Sequence, residues 1–107
     1  KRIKVSKFRL NTIQLLPEPN YTQTVAIDGY RYSFDFQWNR RTNTHHLTIT
    51  DSFGNVNLQR KRVLSNITLY PMNLPPNSFW FLTYVNTGTA TVLDKPSQHG
   101  LGAFVLE

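Results

Sequence analysis

A chain of 107 residues with a net charge of +6 and no cysteine is compatible with only a few classes of protein. Its length suits one hydrophobic core, and we therefore predict a single β domain over residues 1–107. The lack of cysteine excludes disulfides and thiolate metal sites. No apolar stretch approaches the roughly 20 residues that span a bilayer, so we expect no membrane partner.

The composition favours strands over helices. Aromatic residues make up 13% of the chain, β-branched residues are common, and the strong helix formers Ala and Glu are scarce. Aromatic and β-branched side chains suit a pleated sheet, whereas Ala and Glu suit a helix. The fold class predicted from composition is all-β.

The chain begins with a basic segment in which apolar and polar residues alternate. We interpret residues 1–16 as an N-terminal strand or arm. The alternation shifts by one position between Val5 and Phe8, and a β-bulge near residues 6–7 would absorb that shift. Two prolines within residues 17–20 then end the extended segment, because proline has no amide hydrogen to donate.

The strongest period follows, since every second residue from 30 to 38 is aromatic. The rings are Tyr30, Tyr32, Phe34, Phe36 and Trp38. A strand sends successive side chains to opposite faces, so these rings share one face, which we interpret as a core face rather than an open stacking platform.

Turn signals on either side of this run predict a three-stranded antiparallel meander. Asp28-Gly29 suits a two-residue type I′ hairpin, in which both residues have positive φ. We place strands near residues 22–27, 30–38 and 45–50, with a polar turn at 39–44. This meander is the basis of a predicted core domain that spans residues 22–107.

The remaining segments predict a few more short strands. A tight turn at residues 51–55, with Gly54 in the left-handed region, leads into a fourth strand that carries Val56 and Leu58 on one face. Residues 63–70 suit a strand or an irregular cover. The last predicted strand is residues 104–106.

Prolines mark residues 71–78 as a loop, and the segment that follows it is unusually apolar. Residues 79–85 are apolar on both faces apart from Thr83, which indicates a strand buried on both sides or lying at an interface. Residues 87–93 suit a turn or short strand, and residues 94–100 a loop. About seven short strands in all predict a small antiparallel barrel or sandwich.

The histidines do not form a plausible metal site. His45 and His46 are adjacent on a predicted strand and must point to opposite faces, while His99 lies in a distant loop. A nucleophile, base and orienting group at credible spacing cannot be assembled, and there is no glycine-rich phosphate loop. We predict no catalytic, metal or cofactor-binding residues, and hence no enzyme.

The aspartates have structural explanations. Asp28, Asp51 and Asp94 stand at predicted turns, where the carboxylate can accept hydrogen bonds from nearby backbone amides. Asp35 stands in the middle of a strand on its polar face, and we predict a Lys or Arg as its cross-strand partner.

Clusters of positive charge and one apolar segment are the candidate partner-binding surfaces. The predicted residues are Lys1, Arg2, Lys4, Lys7, Arg9, Arg40, Arg41, Arg60, Lys61, Arg62, Phe79 and Trp80. Such a charge balance favours an acidic partner surface, nucleic acid or anionic lipid. It could equally be solvated charge that keeps a β-protein soluble.

Two functions are compatible with these features. A single-stranded nucleic-acid module would combine a basic groove with exposed rings. A structural subunit would pack into a larger assembly through its edges, its basic segment and its apolar residues 79–85. Burial of the alternating rings favours the subunit over the nucleic-acid module.

The order of several short motifs resembles the small baseplate plug proteins of contractile-tailed bacteriophages. The matching segments are Val25-x-Ile27-Asp28-Gly29-x-x-Tyr32, Phe36-x-Trp38-Asn39-x-Arg41, Leu47-Thr48-Ile49, Asp51-x-x-Gly54-Asn55, a Pro-Pro loop and Leu101-Gly102. The similarity covers about residues 24–107. The chain differs at His45-His46, where the family tends to have an aromatic residue, and in its basic N-terminal segment.

The resemblance implies a structural protein of the virion tail baseplate, without cofactor or catalysis. It implies hub, inner tube or spike proteins and further copies of the chain as partners, and assembly in the host cytoplasm. The matching residues would be structural: Gly29 and Gly54 in turns, Tyr32, Phe36 and Trp38 in the core, and Asn39 and Arg41 in the connection that follows.

Overall fold

The computed structural model of the chain is all-β, as predicted, and describes residues 8–64, 66–86, 93 and 98–106. Within these residues there are eight strands, one more than the sequence indicated. They are β1 (Phe8–Ile13), β2 (Asn20–Ile27), β3 (Tyr30–Asn39), β4 (Thr44–Asp51), β5 (Val56–Arg62), β6 (Ile67–Leu69), β7 (Trp80–Asn86) and β8 (His99–Leu106).

The strands form two antiparallel sheets of four, in the orders β1-β8-β7-β6 and β2-β3-β4-β5. The sheets share one buried core and do not close into a barrel, so the fold is a sandwich. No helix among the described residues has the length and apolar character needed to cross a membrane.

The meander of β2, β3 and β4 is confirmed. Asp28 and Gly29 have φ values of 54° and 82°, which is the type I′ geometry predicted for this hairpin. Tyr32, Phe34 and Phe36 are fully buried, and these rings fill the core side of β3. Trp38 is only half-buried and lies outside the buried core, so its predicted role as a core residue is wrong.

Trp80 joins the two sheets. Its ring lies 5.1 Å from Tyr32, edge-on, and stacks on Phe34 at 6.4 Å with a 20° angle between the rings. With 1% of its surface exposed, Trp80 cannot contact a partner, and its predicted partner-binding role is wrong.

For residues 79–85 the sequence left two possibilities, a strand buried on both sides or a strand at an interface, and the structure contradicts the first. In β7 the even-numbered residues from Trp80 to Tyr84 are buried, whereas Val85, and Phe79 just before the strand, are exposed. The reason is that a second sheet covers only one face of this strand.

A hydrogen-bond network around Asp51 fixes the turn after β4. Its Oδ1 accepts hydrogen bonds from the amides of Phe53 (2.9 Å) and Asn55 (3.0 Å), as predicted for a turn aspartate. Gly54 has a φ of 88°, in the left-handed region. The side chain of Asn57 donates to Asp51 Oδ2 and to the carbonyl of Met72 (3.0 Å), which ties the proline-rich loop to β5.

The phase predicted for β5 is wrong. Val56 is exposed, whereas the neighbours Asn57 and Leu58 are both buried. The pairing of β4 with β5 shifts register between Leu47 and Ile49 and again between Ile49 and Thr50. A bulge of this kind places two successive residues on one side of the sheet.

Strand β8 is longer than predicted. It begins at His99 rather than at residue 104, because β7 pairs with it from His99 and β1 from Leu101. Among the described residues of 63–70, the three-residue β6 is the only strand, which is compatible with the predicted strand or irregular cover. The predicted bulge at residues 6–7, the turn at Asp94 and nearly all of residues 87–93 lie outside the described residues.

Candidate functional site

The outer faces of the two sheets differ in chemistry. The β2-β3-β4-β5 sheet carries small hydroxyl and polar side chains on its outer face, which we call the polar face: Thr22, Thr24, Arg31, Ser33, Asp35, Gln37, Thr48 and Thr50. Asp35 accepts hydrogen bonds from Thr22 (3.1 Å) and Gln37 (3.3 Å). Its cross-strand partner is therefore Thr22 and not the predicted Lys or Arg.

The β1-β8-β7-β6 sheet has a cluster of rings on its outer face. We define the aromatic face as Phe8, Leu10, Tyr70, Phe79, Phe81 and Phe104. Phe81 is at its centre, with ring centroids 5.3 Å from Phe8, 5.3 Å from Phe104 and 5.7 Å from Tyr70. The rings of Phe81 and Phe104 are stacked, with 16° between their planes.

Strand register explains why these side chains meet. Phe104 of β8 is paired with Leu10 on one side and with Phe81 on the other, and directly paired residues point to the same face. The next row contains only small residues, because Gly102 lies between Thr12 and Thr83. A groove therefore runs beside the aromatic row.

Gly102 has a particular role on this face. A Cβ atom at this position would lie 2.6 Å from Cδ1 of Leu10. Because glycine has no Cβ, the Leu10 side chain can pack directly over the backbone of β8. Leu101, its neighbour, is buried in the core. In the Leu101-Gly102 motif, Leu101 therefore packs in the core, and Gly102 leaves space for the groove on the outer face.

Several residues of the aromatic face are widely open to solvent. The exposed fractions are 47% for Phe8, 56% for Leu10, 64% for Tyr70 and 45% for Phe79. Contiguous exposed apolar patches of this kind mark protein interaction sites. Of this face only Phe79 was predicted, because the pairing of β1 with β8 joins segments about 90 residues apart and leaves no local signal.

The predicted basic residues do not form one cluster. Arg40 and Arg41 lie in the turn between β3 and β4, and Lys61 and Arg62 end β5 at the same end of the sheet. The other described basic residues of the predicted set are Arg9, on β1 in the other sheet, and Arg60, at the β5 bulge with a φ of 44°. Lys1, Arg2, Lys4 and Lys7 lie outside the described residues.

His45 packs among rings, and His46 points to the opposite face, as predicted. The ring of His45 stands edge-on to Tyr21 (5.8 Å), Phe36 (5.8 Å) and Trp38 (4.9 Å). Its Nε2 donates a hydrogen bond to the Glu18 carbonyl (3.0 Å), and burial lowers the pKa of His45. Among the described residues no group of three or more metal-ligating side chains is found.

The described residues form a two-layer sandwich with one polar and one aromatic outer face. This arrangement is typical of a small β domain that contacts other molecules through the outer faces of its sheets. A family model described as the cyanophage baseplate Pam3 plug gp18 matches residues 10–106. The chain belongs to this family of phage baseplate plugs, which confirms the resemblance noted in its motifs. Searches of curated proteins and of solved structures gave no significant match.

Membership gives the chain a structural role in the phage baseplate and a place in the virion tail. A baseplate plug interacts with other baseplate or tail proteins.

Proposed function

We propose that the chain braces the axial hub or inner tube of the baseplate, and that it docks on those proteins through the aromatic face. The observation that carries this proposal is the difference between the two outer faces: one sheet is covered by polar side chains, most of them with hydroxyl groups, the other by partly exposed rings. As a brace the protein acts through contacts alone, with no cofactor and no catalysis, and it is assembled in the host cytoplasm.

The energetics favour a docked state. Full burial of one exposed Phe or Leu side chain is worth about 1.5–3 kcal/mol, so several such residues on one face can support a stable interface. Aromatic residues are enriched at the centres of protein interfaces, where a few of them contribute most of the binding free energy. The groove beside Gly102 offers a place for a partner side chain.

The nucleic-acid alternative receives less support. The rings that it would use as a stacking platform, Tyr32, Phe34 and Phe36, are fully buried. The rings of the aromatic face lie on one sheet, whereas the basic residues of β5 and of the β3–β4 turn lie on the other. Phe53, which is exposed on that other sheet, stands in the β4–β5 turn, at the end opposite to these basic residues. Stacking and backbone neutralisation would therefore have to take place on different surfaces.

The test compares two pairs of exposed apolar residues. Phe8→Ser with Phe79→Ser alters the aromatic face, and Phe53→Ser with Val56→Ser makes a similar change at exposed sites on the other sheet. Each variant is tested for binding to the purified hub and inner-tube proteins of the same phage. We expect the first pair to weaken binding by about tenfold or more, which corresponds to about 1.4 kcal/mol, and the second pair to bind like the parent.

Equal binding by both pairs would show that the aromatic face is not the docking surface. Failure of the parent chain to bind either protein would overturn the bracing role itself. Thermal denaturation of each variant excludes loss of fold as the cause.

A further inference from the structure

We propose a second docking site, formed by Arg40, Arg41, Lys61 and Arg62, that holds an acidic segment of a neighbouring protein subunit. We call this surface the basic end. It lies on the sheet that does not contain the aromatic face. The baseplate plug would then contact two partners of different chemistry.

The four cations are brought together by strand pairing. Asn39 pairs with Thr44 across the turn that contains Arg40 and Arg41. On the neighbouring strand, Arg62 pairs with His46, only two residues from Thr44. Residues 21 positions apart in sequence therefore lie at one end of one sheet.

The backbone at the basic end is held in place. The Arg41 amide donates to Oδ1 of Asn39 (2.9 Å), which orders the turn. Beyond Arg62, the Val63 amide donates to the His45 carbonyl (2.9 Å) and keeps the end of β5 against β4. Because the backbone is already ordered, only the four side chains lose conformational freedom when an anion binds.

The charge at the basic end is not balanced within the described part of the chain. All four side chains are exposed, and none forms an ion pair with a described carboxylate. The carboxylates of the same sheet are occupied or at its other end: Asp35 is bonded to Thr22 and Gln37, and Asp51 to its own turn. Glu18, in the connector beside His45, is one negative charge against four positive ones.

An acidic protein segment fits this site better than a nucleic acid. Trp38, two residues before Arg40, is half-buried, and its ring lies 4.9 Å from that of His45 and nearly perpendicular to it, so Trp38 is not an open stacking platform. Three of the four cations are arginines, which form paired hydrogen bonds with carboxylates and with phosphates alike. The lack of a stacking platform is therefore what favours an acidic protein segment.

The experiment measures binding of the full chain to labelled poly-L-glutamate and to a labelled oligo(dT) strand at about 50 and 200 mM salt. Arg41→Glu, Arg62→Glu and their combination are compared with Arg31→Glu. This control makes the same charge change as either single variant, on the same sheet, next to the Asp28-Gly29 hairpin at the opposite end. We expect the parent to bind poly-L-glutamate in a salt-dependent way. The double variant should bind about tenfold or more weakly, and Arg31→Glu within about threefold of the parent.

Three results would overturn the proposal: no binding of the parent at low salt, an equal loss in Arg31→Glu, or tighter binding to oligo(dT) than to poly-L-glutamate. An equal loss of binding would show that binding depends on the net charge of the chain and not on the basic end. Tighter binding to oligo(dT) would favour a nucleic-acid partner. Arg41→Gln and Arg62→Gln, which should weaken binding less, keep the test valid if a charge reversal unfolds the protein. The Phe8→Ser and Phe79→Ser pair should bind poly-L-glutamate normally, which separates this site from the aromatic face.

Discussion

His45 is packed among rings as an aromatic side chain would be. The resemblance to plug proteins implies an aromatic residue at His45-His46, and the imidazole of His45 stands edge-on to three neighbouring rings. Unlike a phenyl ring, it also donates a hydrogen bond, to the carbonyl of Glu18. That bond fastens the connector between β1 and β2 to the end of the meander.

The lowered pKa of His45 makes stability depend on pH in one direction. The ordinary pKa of histidine is 6.5, and burial, partly offset by hydrogen bonds to backbone carbonyls, holds the folded value below it. Above pH 6.5 the ring is neutral in both states and contributes no pH dependence. As the pH falls below that value the unfolded chain takes up the proton first, so the free energy of unfolding decreases until the folded pKa is reached.

We therefore expect His45→Phe to reduce the fall in stability between about pH 7 and pH 5. At about pH 7 the variant should lose about 1 kcal/mol, for the missing hydrogen bond. Urea denaturation across this range measures both effects. A pH slope that is unchanged in His45→Phe would contradict the role of His45, and His45→Ala, which also loses the ring packing, should be clearly less stable than His45→Phe.

Asp51 shows what sequence can and cannot predict about a single residue. Its place before a glycine-containing turn predicted backbone capping, and two amides do donate to it. Burial alone would raise its pKa, but the hydrogen bonds from Asn55, Asn57 and Phe53 outweigh burial and lower the pKa. The contribution of Asn57 was not predictable, because it depends on a bulge that turns Asn57 toward the core.

At the scale of the element, β7 shows that an apolar run in the sequence does not reveal which of its residues are buried. Phe79 directly precedes β7 and Trp80 is its first residue, and the sequence does not show which of these two aromatic residues is buried. The structure places Trp80 between the sheets and Phe79 on the aromatic face. Their roles are opposite because successive side chains of a strand point in opposite directions.

This difference predicts the effect of two neighbouring substitutions. Trp80→Ala should lower the free energy of unfolding by about 3–5 kcal/mol, since it empties the centre of the core. Phe79→Ala should change it by less than about 1 kcal/mol, since it removes a ring that is already partly in water. Urea denaturation of the two variants provides the measurement, and similar losses for both would contradict the assigned faces.

Strand β8 is the element that sequence predicted least well. Its first residues include two glycines, Gly100 and Gly102, which have low strand propensity. They are nevertheless paired with Val85 and Thr83 of β7, and Gly102 also with Thr12 of β1. Pairing with strands on both sides outweighs the local preference, which explains why the predicted strand was five residues too short.

At the scale of the whole molecule, the aromatic contacts between Trp80, Tyr32 and Phe34 join the two sheets into one core. Neither sheet could bury its inner face alone. We therefore propose that residues 1–107 form a single β domain that unfolds as a unit.

In a Trp38→Phe variant, the remaining tryptophan, Trp80, reports on the contact between the sheets, and far-UV circular dichroism reports on the strands. If the sandwich is one cooperative unit, both signals should give the same urea midpoint. Loss of the Trp80 signal before the strand signal would show that the sheets separate before they unfold.

The two outer faces also belong to the whole molecule, because each is assembled from strands that are distant in sequence. The aromatic face combines β1, β7 and β8, and the basic end combines β5 with the turn after β3. In both proposals the binding surface is therefore built from several segments of the chain and exists only in the folded protein.

The sequence by itself determined the all-β class, the meander of β2 to β4 with its turns at Gly29 and Gly54, and the family. These features depend on neighbours in the chain: a period of two, residues that tolerate positive φ, and motifs in a fixed order. Tertiary structure alone decided that the sheets form a sandwich, that Trp80 is buried while Phe79 is exposed, and that Arg41 and Arg62 lie at one end. The physical reason is that face and proximity in a sheet depend on which strands pair, and β1 pairs with β8, a partner from the other end of the chain.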